Sequence, residues 1–586
     1  MSQKFENLLN LALETPEAVR ERTEDLNIGF DTESRSWELI VKYNGNLDGL
    51  AAVGITVEYL IAGYAILTVP EQLVELLGEL PEIEYVEKPK RYFYTQVRPT
   101  DNSCVAPITL REPFLTGENV LLAVLDSGIE YVLPDFRDSD GNTRIRFLWD
   151  QSLTPEPPRR MPPEGFSVGV EFDSEMINAA LNAPSSVERH EMVPSRDVTG
   201  HGTAVAGIAA ASVGGRYEGV APQAQLLVVK LGQPDPLSFP RTTEIMRGVT
   251  YALQKARLLG MPLVINLSFG NSYGAHNGSS LLERFLDNAA EIGRTVICVG
   301  SGNEGSAGGH FQGNIRDIRE VELAVAQYER KMNVQFWKNY SDSFRLRLRS
   351  PGGQEAELNE RIERGKYTLR LEQTEILVYF GEPLPYSVEQ EIYFEFLPVG
   401  GNYINSGVWS FILEQVRVVT GQYYMYLPSG AVQNEGTGFY RPTPQVTLTI
   451  PSTASKVITI GAYDSVFDAY ADFSGRGYES EERTIGVVTA GIIKPDIVAP
   501  GVAVLAPDVY GGYTPVTGTS FATPIASGGV ALLMEWGIVR GNDPFLYGEK
   551  VKAYLRKGAR PLRGETEYPN ARVGWGALCV SSSLPE

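Results

Sequence analysis

The sequence predicts an α/β protein with a parallel-sheet core, a small α+β domain ahead of it and an all-β insertion within it. Three patterns across the 586 residues point there. Apolar runs such as Val120–Leu125 and Thr295–Val299 end abruptly in small or polar residues, as strands buried on both faces do. Ala/Gly-rich segments, Ala204–Ala211 and Ala522–Leu533, read as tightly packed helices. Between about Asn314 and Thr449 the helical pattern gives way to short alternating runs broken by Gly, Pro and Asn.

From the N-terminus, Met1–Asn27 alternates apolar and charged residues at helical spacing, with no basic start and apolar core of a secretory signal. With no apolar run of about eighteen residues, a transmembrane helix is not expected either. Cytoplasmic synthesis is therefore the expectation. Trp37–Lys42 follows as a strand and Leu47–Val53 as a short helix. Strands Ile55–Ile61 and Tyr64–Val69, a Pro70-started helix through Leu77 and strand Ile83–Glu87 complete a β-α-β-β-α-β unit. Asp138–Arg196 is a first insertion, with an extended Pro-rich start at Thr154–Pro163. The second contains at least Glu320–Val325, Asn333–Lys338, Phe344–Arg349, Tyr367–Leu371, Glu375–Phe380, Glu391–Leu397, Gly407–Gln415, Gln422–Leu427 and Gln445–Ile450. Such spacing suggests an antiparallel sandwich of jelly-roll type. Both its ends return to the core, so it should be a rigid appendage that clamps the fold; substrate selection and partner docking are the other roles open to it.

Three short blocks carry the chemistry: Leu125-Asp-Ser-Gly128, Gly200-His-Gly-Thr203 and Gly518-Thr-Ser-Phe-Ala-Thr-Pro524. They supply a carboxylate, an imidazole and a hydroxyl. A serine hydroxyl attacks a carbonyl only when a base takes its proton, and a carboxylate on the other ring nitrogen fixes that base's tautomer. Asp126, His201 and Ser520 fit those roles. The oxyanion that forms needs fixed donors, and Asn303 in Gly300-Ser-Gly-Asn-Glu304, with the Ser520 N–H, would provide them. Each residue alone has a plain structural reading as a turn, cap or helix start; the four in order, with matching flanks, do not.

These blocks resemble those of the subtilisin-like serine peptidases (subtilases). Further matches are Gly219-Val-Ala-Pro222, Leu226–Lys230, Val264-Ile-Asn-Leu-Ser-Phe-Gly270, Val457–Ala462, Phe473–Gly477 and Lys494–Gly501. The resemblance implies a subtilisin-like fold and endopeptidase activity, with Ser268, Phe269 and Gly270 lining the substrate cleft. It also implies that the N-terminal α+β unit is a propeptide acting as folding helper and cleft inhibitor. Ala204 departs from the family, many of whose members carry a histidine there. On this reading the domains are 1–96 (propeptide), 97–311 (catalytic, first part), 312–452 (jelly-roll insertion) and 453–586 (catalytic, second part). Arg91–Arg98 would enter the cleft by strand addition and be cut between Gln96 and Val97, with Phe93 four residues before the bond. A propeptide, an intact triad and an insertion before the serine together resemble the Csp germination proteases of clostridia. That implies a spore-associated enzyme acting on a cortex-lytic enzyme precursor. A broad-specificity peptidase and a non-cleaving signalling pseudoprotease are the competing readings.

Composition bounds the partners. A net charge of −21 argues against nucleic acid and anionic membranes, which attract basic surfaces. No cofactor and no metal is expected: no acidic cluster has a recognisable spacing, and Cys104, Cys298 and Cys579 are too few and dispersed for a disulfide framework or metal cluster. Cys298 reads as a buried small apolar residue, and His190, His276 and His310 as non-catalytic.

Overall fold

The computed structural model describes residues 4–20, 27, 29–59, 63–89, 103–232, 240–358, 366–383, 387–478 and 493–585. The chain divides into two compact units, Met1–Thr95 and Gln96–Glu586. The expected cleavage pair, Gln96 and Val97, lies outside the described residues.

In the first unit, strand Ser36–Tyr43 is central. It pairs antiparallel with Tyr64–Pro70 on one side and with Ile83–Glu87 on the other, and Thr56–Tyr59 extends the sheet. Trp37, Leu39 and Val41 alternate inward and are fully buried, the period-two pattern of a sheet with one covered face. Leu9 and Ala12 of helix Asn7–Glu14 and Val74 and Leu77 of helix Val74–Glu79 cover that face. The helix expected over Leu47–Val53 is a 3-10 segment, Asp48–Val53, closed by left-handed Gly54.

The second unit is built on a nine-stranded sheet. Its parallel strands run in the spatial order Ile145–Asp150, Gln225–Lys230, Leu121–Asp126, Leu263–Leu267, Thr295–Gly300, Ile458–Asp464, Ile497–Pro500. Every residue of Leu121–Asp126, Leu263–Leu267 and Thr295–Gly300 is buried, because both faces are covered. Leu122 and Val124 meet helices His201–Ala210 and Thr519–Met534; Leu121, Ala123 and Leu125 meet Thr242–Leu259 and Leu281–Ala290 on the opposite face. Strand order reverses beside Leu121–Asp126, and a crevice opens at the carboxyl ends of strands at such a point. Thr519–Val539 is apolar and long enough to span a bilayer, but 83% of an eighteen-residue apolar window within it is buried in this core.

The first insertion adds an antiparallel edge strand, Val170–Asp173, and two helices, Ser174–Leu181 and Ser186–Met192, capped by the side chains of Asp173 and Ser185. Near its start, buried Arg144 donates to the carbonyl oxygens of Ala224 (2.7 Å), Asp135 (2.9 Å) and Ala210, the last residue of the His201 helix. A guanidinium at a helix C-terminus satisfies carbonyls that the helix cannot.

The second insertion is a two-sheet antiparallel sandwich. One six-stranded sheet runs His310–Asn314, Gln422–Tyr426, Met332–Asn339, Glu389–Pro398, Thr374–Phe380, Lys366–Leu371. The facing five-stranded sheet runs Glu355–Leu358, Ser343–Arg349, Gly407–Arg417, Glu320–Val325, Gly438–Phe439. Phe336, Phe394, Trp409, Phe411 and Tyr423 fill the space between them. Its outer strands pair across long stretches of chain, Glu320–Val325 with Gly407–Arg417 and Met332–Asn339 with Glu389–Pro398. The inner strands form local hairpins instead, Ser343–Arg349 with Glu355–Leu358 and Lys366–Leu371 with Thr374–Phe380.

One covalent link escaped the cysteine spacing. Cys104 and Cys579 form a disulfide across 475 residues, and Val580 N donates to Ser103 O beside it (2.9 Å). Only the fold brings the pair together. Cys298 is free and buried within its strand.

Arg144→Met should strand two buried carbonyls, those of Ala224 and Ala210, since Asp135 O keeps Ser212 N and Oγ as donors; at about 1–3 kcal/mol each, the loss should lower the unfolding midpoint in calorimetry by several degrees. An unchanged midpoint would show that the clamp contributes nothing.

Candidate active site

Three chain ends converge on the crevice. Asp126 terminates its strand, His201 is the first residue of its helix and Ser520 the second of its own. His201 Nδ1 lies 2.7 Å from Asp126 Oδ1, and Asp126 is 4% exposed. The His201 ring packs at 5.3 Å from that of Phe521, so the histidine and serine helices meet at their N-termini. Gly202 makes this approach feasible: a Cβ there would lie 2.2 Å from Gly128 O. A cleft of about 900 Å³ contains all three reactive residues, together with Asn303, Ser268, Phe269 and Gly270.

The Ser520 hydroxyl donates to Ser268 O (2.8 Å), and no bond from it to His201 is among the described contacts. Rotation about its side-chain torsion is needed to reach the imidazole; hydrogen bonds at such sites commonly tighten only when substrate is bound. Ser268 Oγ donates in return to Ser520 O (2.9 Å). Asn266 Nδ2 donates to Ser268 Oγ, and Ser527 Oγ to Asn266 Oδ1, each at 2.8 Å. This buried chain fixes strand Leu263–Leu267 against the serine helix.

Asn303 is oriented by the same helix. Its Oδ1 accepts from Thr519 N (3.0 Å) and Thr519 Oγ1 (3.1 Å). A backbone N–H can only donate, so the oxygen faces Thr519 and Nδ2 is left to donate elsewhere. Ser520 N is one of the helix's initial N–H groups, which have no acceptor within the helix. Gly518 precedes them at φ 150°, a conformation L-residues rarely adopt, with space for a Cβ only 3.4 Å from Asn303 Nδ2. Two donors beside a hydroxyl at a helix N-terminus can hold a developing oxyanion.

The sandwich also reaches the cleft, which the sequence did not reveal. Ser429, Gly430 and Gln433 through Thr437 line it. Glu304, next to Asn303, accepts from Ser429 Oγ (2.5 Å) and Gly430 N (3.2 Å). Thr449 fills the space that glycine leaves at two cleft positions: a Cβ on Gly270 or Gly302 would lie 2.3 or 2.4 Å from its side chain. Asp197 is a further unforeseen residue, buried at the start of the histidine helix. Its place four residues before His201 was the available signal.

Burial pushes the His201 imidazolium down, but the charge of Asp126, its hydrogen bond and the charge of Asp197 outweigh this, leaving His201 above its ordinary value. His276 and His310 differ. Burial pushes them down to about 4 and about 3, and both stack on Tyr426 where the sandwich meets the core. His190 sits on the surface helix Ser186–Met192. Among the described residues, no group of three or more His, Cys, Asp or Glu side chains could hold a metal ion.

The family described as the subtilase family matches residues 117–375 and 429–576, and the Csp protease B prodomain matches 3–90. The interval between the two subtilase stretches lies within the sandwich. Among solved structures, the CspB protease of Clostridium perfringens is similar at a TM-score of 0.74 and 34% identity, over 83% of this chain and 96% of that one. The minor extracellular protease Vpr of Bacillus subtilis is 24% identical over 86% of this chain, and subtilisin E of the same organism 29% identical over 41%. The chain spans 59% of Vpr and 49% of subtilisin E.

Because the folded imidazole is raised, its stabilising contribution is complete below about pH 6.5 and is lost as pH rises through the folded value. Titration of His201 by NMR should give a midpoint above about 6.5, and Asp126→Asn should lower it. A midpoint insensitive to Asp126→Asn would contradict the pairing.

Proposed function

The chain belongs to the subtilase family, and on that premise we propose that it is a serine endopeptidase that cuts its own propeptide. Ser520 Oγ turns from Ser268 O toward His201 Nε2 and attacks the scissile carbonyl as its proton passes to the imidazole. Asp126 holds the tautomer that leaves Nε2 free and stabilises the imidazolium. The Ser520 N–H and Asn303 Nδ2 stabilise the oxyanion, each such donor being worth about 3 kcal/mol of barrier. His201 then passes the proton to the leaving amine, and water attacking through the same base releases the acyl group from Ser520. Substrate backbone adds as a strand along Ser268–Gly270. The observation that carries this reading is the Asp126–His201 bond opening onto a cleft that also holds Ser520.

The first substrate is the chain itself, at Gln96–Val97, with Met1–Gln96 as the propeptide and cleft ligand. The later substrate is the inactive precursor of a spore cortex-lytic enzyme, cleaved during germination, after cytoplasmic synthesis and spore association. The Csp protease B prodomain match and the likeness to the clostridial CspB protease support this assignment. The sandwich takes part in choosing substrate, supported by the cleft wall it supplies through Ser429–Thr437.

Intact mass spectrometry should find wild-type protein in two pieces divided near residue 96, and Ser520→Ala as a single chain. Efficient cutting in Ser520→Ala would assign the cleavage to another protease. Glu304→Ala, which frees Ser429 and Gly430, should raise KM for a peptide substrate severalfold while kcat stays within about twofold. Unchanged KM would leave the sandwich as a clamp alone.

A further inference from the structure

His201 occupies an awkward place for a proton acceptor. As the first residue of its helix it sits at the positive end of the macrodipole, where an imidazolium is disfavoured. The helix also lacks a side-chain cap of its own, because its N-cap is Gly200, held at φ 78°. Asp197 answers both problems.

The Asp197 carboxylate is 4% exposed and accepts five hydrogen bonds. Oδ1 receives Ser127 Oγ (2.8 Å), Gly200 N (3.0 Å) and Thr199 Oγ1 (3.3 Å); Oδ2 receives Thr203 N (2.8 Å) and Thr203 Oγ1 (2.7 Å). Ser127, the residue after Asp126, passes the connection on by accepting from Gly202 N (2.9 Å). Thus one buried carboxylate ties the strand end bearing Asp126 to the helix turn bearing His201. Among the described residues no cation lies within ion-pair distance of it, so its charge faces the helix terminus uncompensated.

The other charges around it are directed elsewhere. Lys230 Nζ donates to Arg196 O (2.7 Å) and lies 3.5 Å from Asp150. Glu130 feels Arg196 and Arg189 as well as Asp197. The serine helix brings Phe521, which is uncharged, against the imidazole. Asp126 and Asp197 are the charges that act on His201.

We propose that Asp197 is a positioning residue of the proteolytic reaction. Its carboxylate sets the N-terminal turn of the His201 helix against Asp126 and offsets the positive helix end, so that His201 can carry the proton taken from Ser520. It touches neither substrate nor the reacting atoms. This rests on the serine-endopeptidase reading, but its test does not need turnover.

The experiment titrates His201 by NMR in full-length protein labelled with ¹⁵N-histidine. The Ser520→Ala background keeps the chain uniform, and His201→Ala assigns the resonance. Asp197→Asn should move the His201 midpoint down by about half a pH unit, because a negative charge that favours the imidazolium is gone. Asp197→Glu keeps the charge while disturbing the contacts, and should hold the midpoint near that of the parent. A folded Asp197→Asn protein with an unmoved midpoint overturns the proposal and leaves Asp197 a cap only. If Asp197→Asn does not fold, Asp197→Ser, which caps a helix without carrying charge, decides: a midpoint displaced downward supports the proposal, and an unmoved one contradicts it.

Discussion

The hydrogen bond between Asp126 and His201 is the contact on which the site depends, and it spans two kinds of secondary structure. A strand delivers the carboxylate at its carboxyl end, and a helix delivers the imidazole at its amino end. Such an arrangement is stable only if both backbones are held independently of the bond itself. The parallel sheet holds the first through burial on both faces. The second is held at one end by Asp197 and Ser127, and at the other by Arg144, whose guanidinium takes up Ala210 O. Glycine at 202 lets helix and strand approach where any side chain would intervene, and glycine at 518 supplies the φ of 150° that the turn beside Asn303 requires.

The sandwich is tied into the same frame. Glu304 holds its loop beside Asn303, Asn277 donates to Glu389 across the junction (2.9 Å), and Gly274 N donates to Gln335 (2.8 Å). Glu389 is buried, and desolvation pushes its carboxyl up to about 8, so near neutral pH it can be held in neutral form at little cost. An appendage attached at this many polar points shares its rigidity with the cleft, of whose wall it forms part.

How much of this was legible in the sequence depended on whether the signal was local. The apolar run before Asp126, the small residues after His201 and Ser520, and the alternation in Trp37–Lys42 each reflect a residue's immediate surroundings, and they gave the parallel core, the two helices and the N-terminal unit. Alternation likewise revealed the sandwich strands, but it says nothing of their partners, so the local hairpins of the inner strands needed coordinates. The Cys104–Cys579 link, the Glu304–Ser429 tether and the fit of Thr449 beneath Gly270 and Gly302 join residues more than a hundred positions apart, where spacing carries no information. Asp197 was missed for another reason: an acid shortly before a helix looks like an ordinary cap.

The central claim is that Ser520 is made nucleophilic by a base it reaches only after turning away from Ser268. Reaction with a fluorophosphonate, followed by mapping the adduct, tests this most directly. The account predicts an adduct on Ser520 in the wild-type protein and its near-complete loss in His201→Ala. An unlabelled Ser520 after removal of the N-terminal unit, or labelling indifferent to His201, would contradict it.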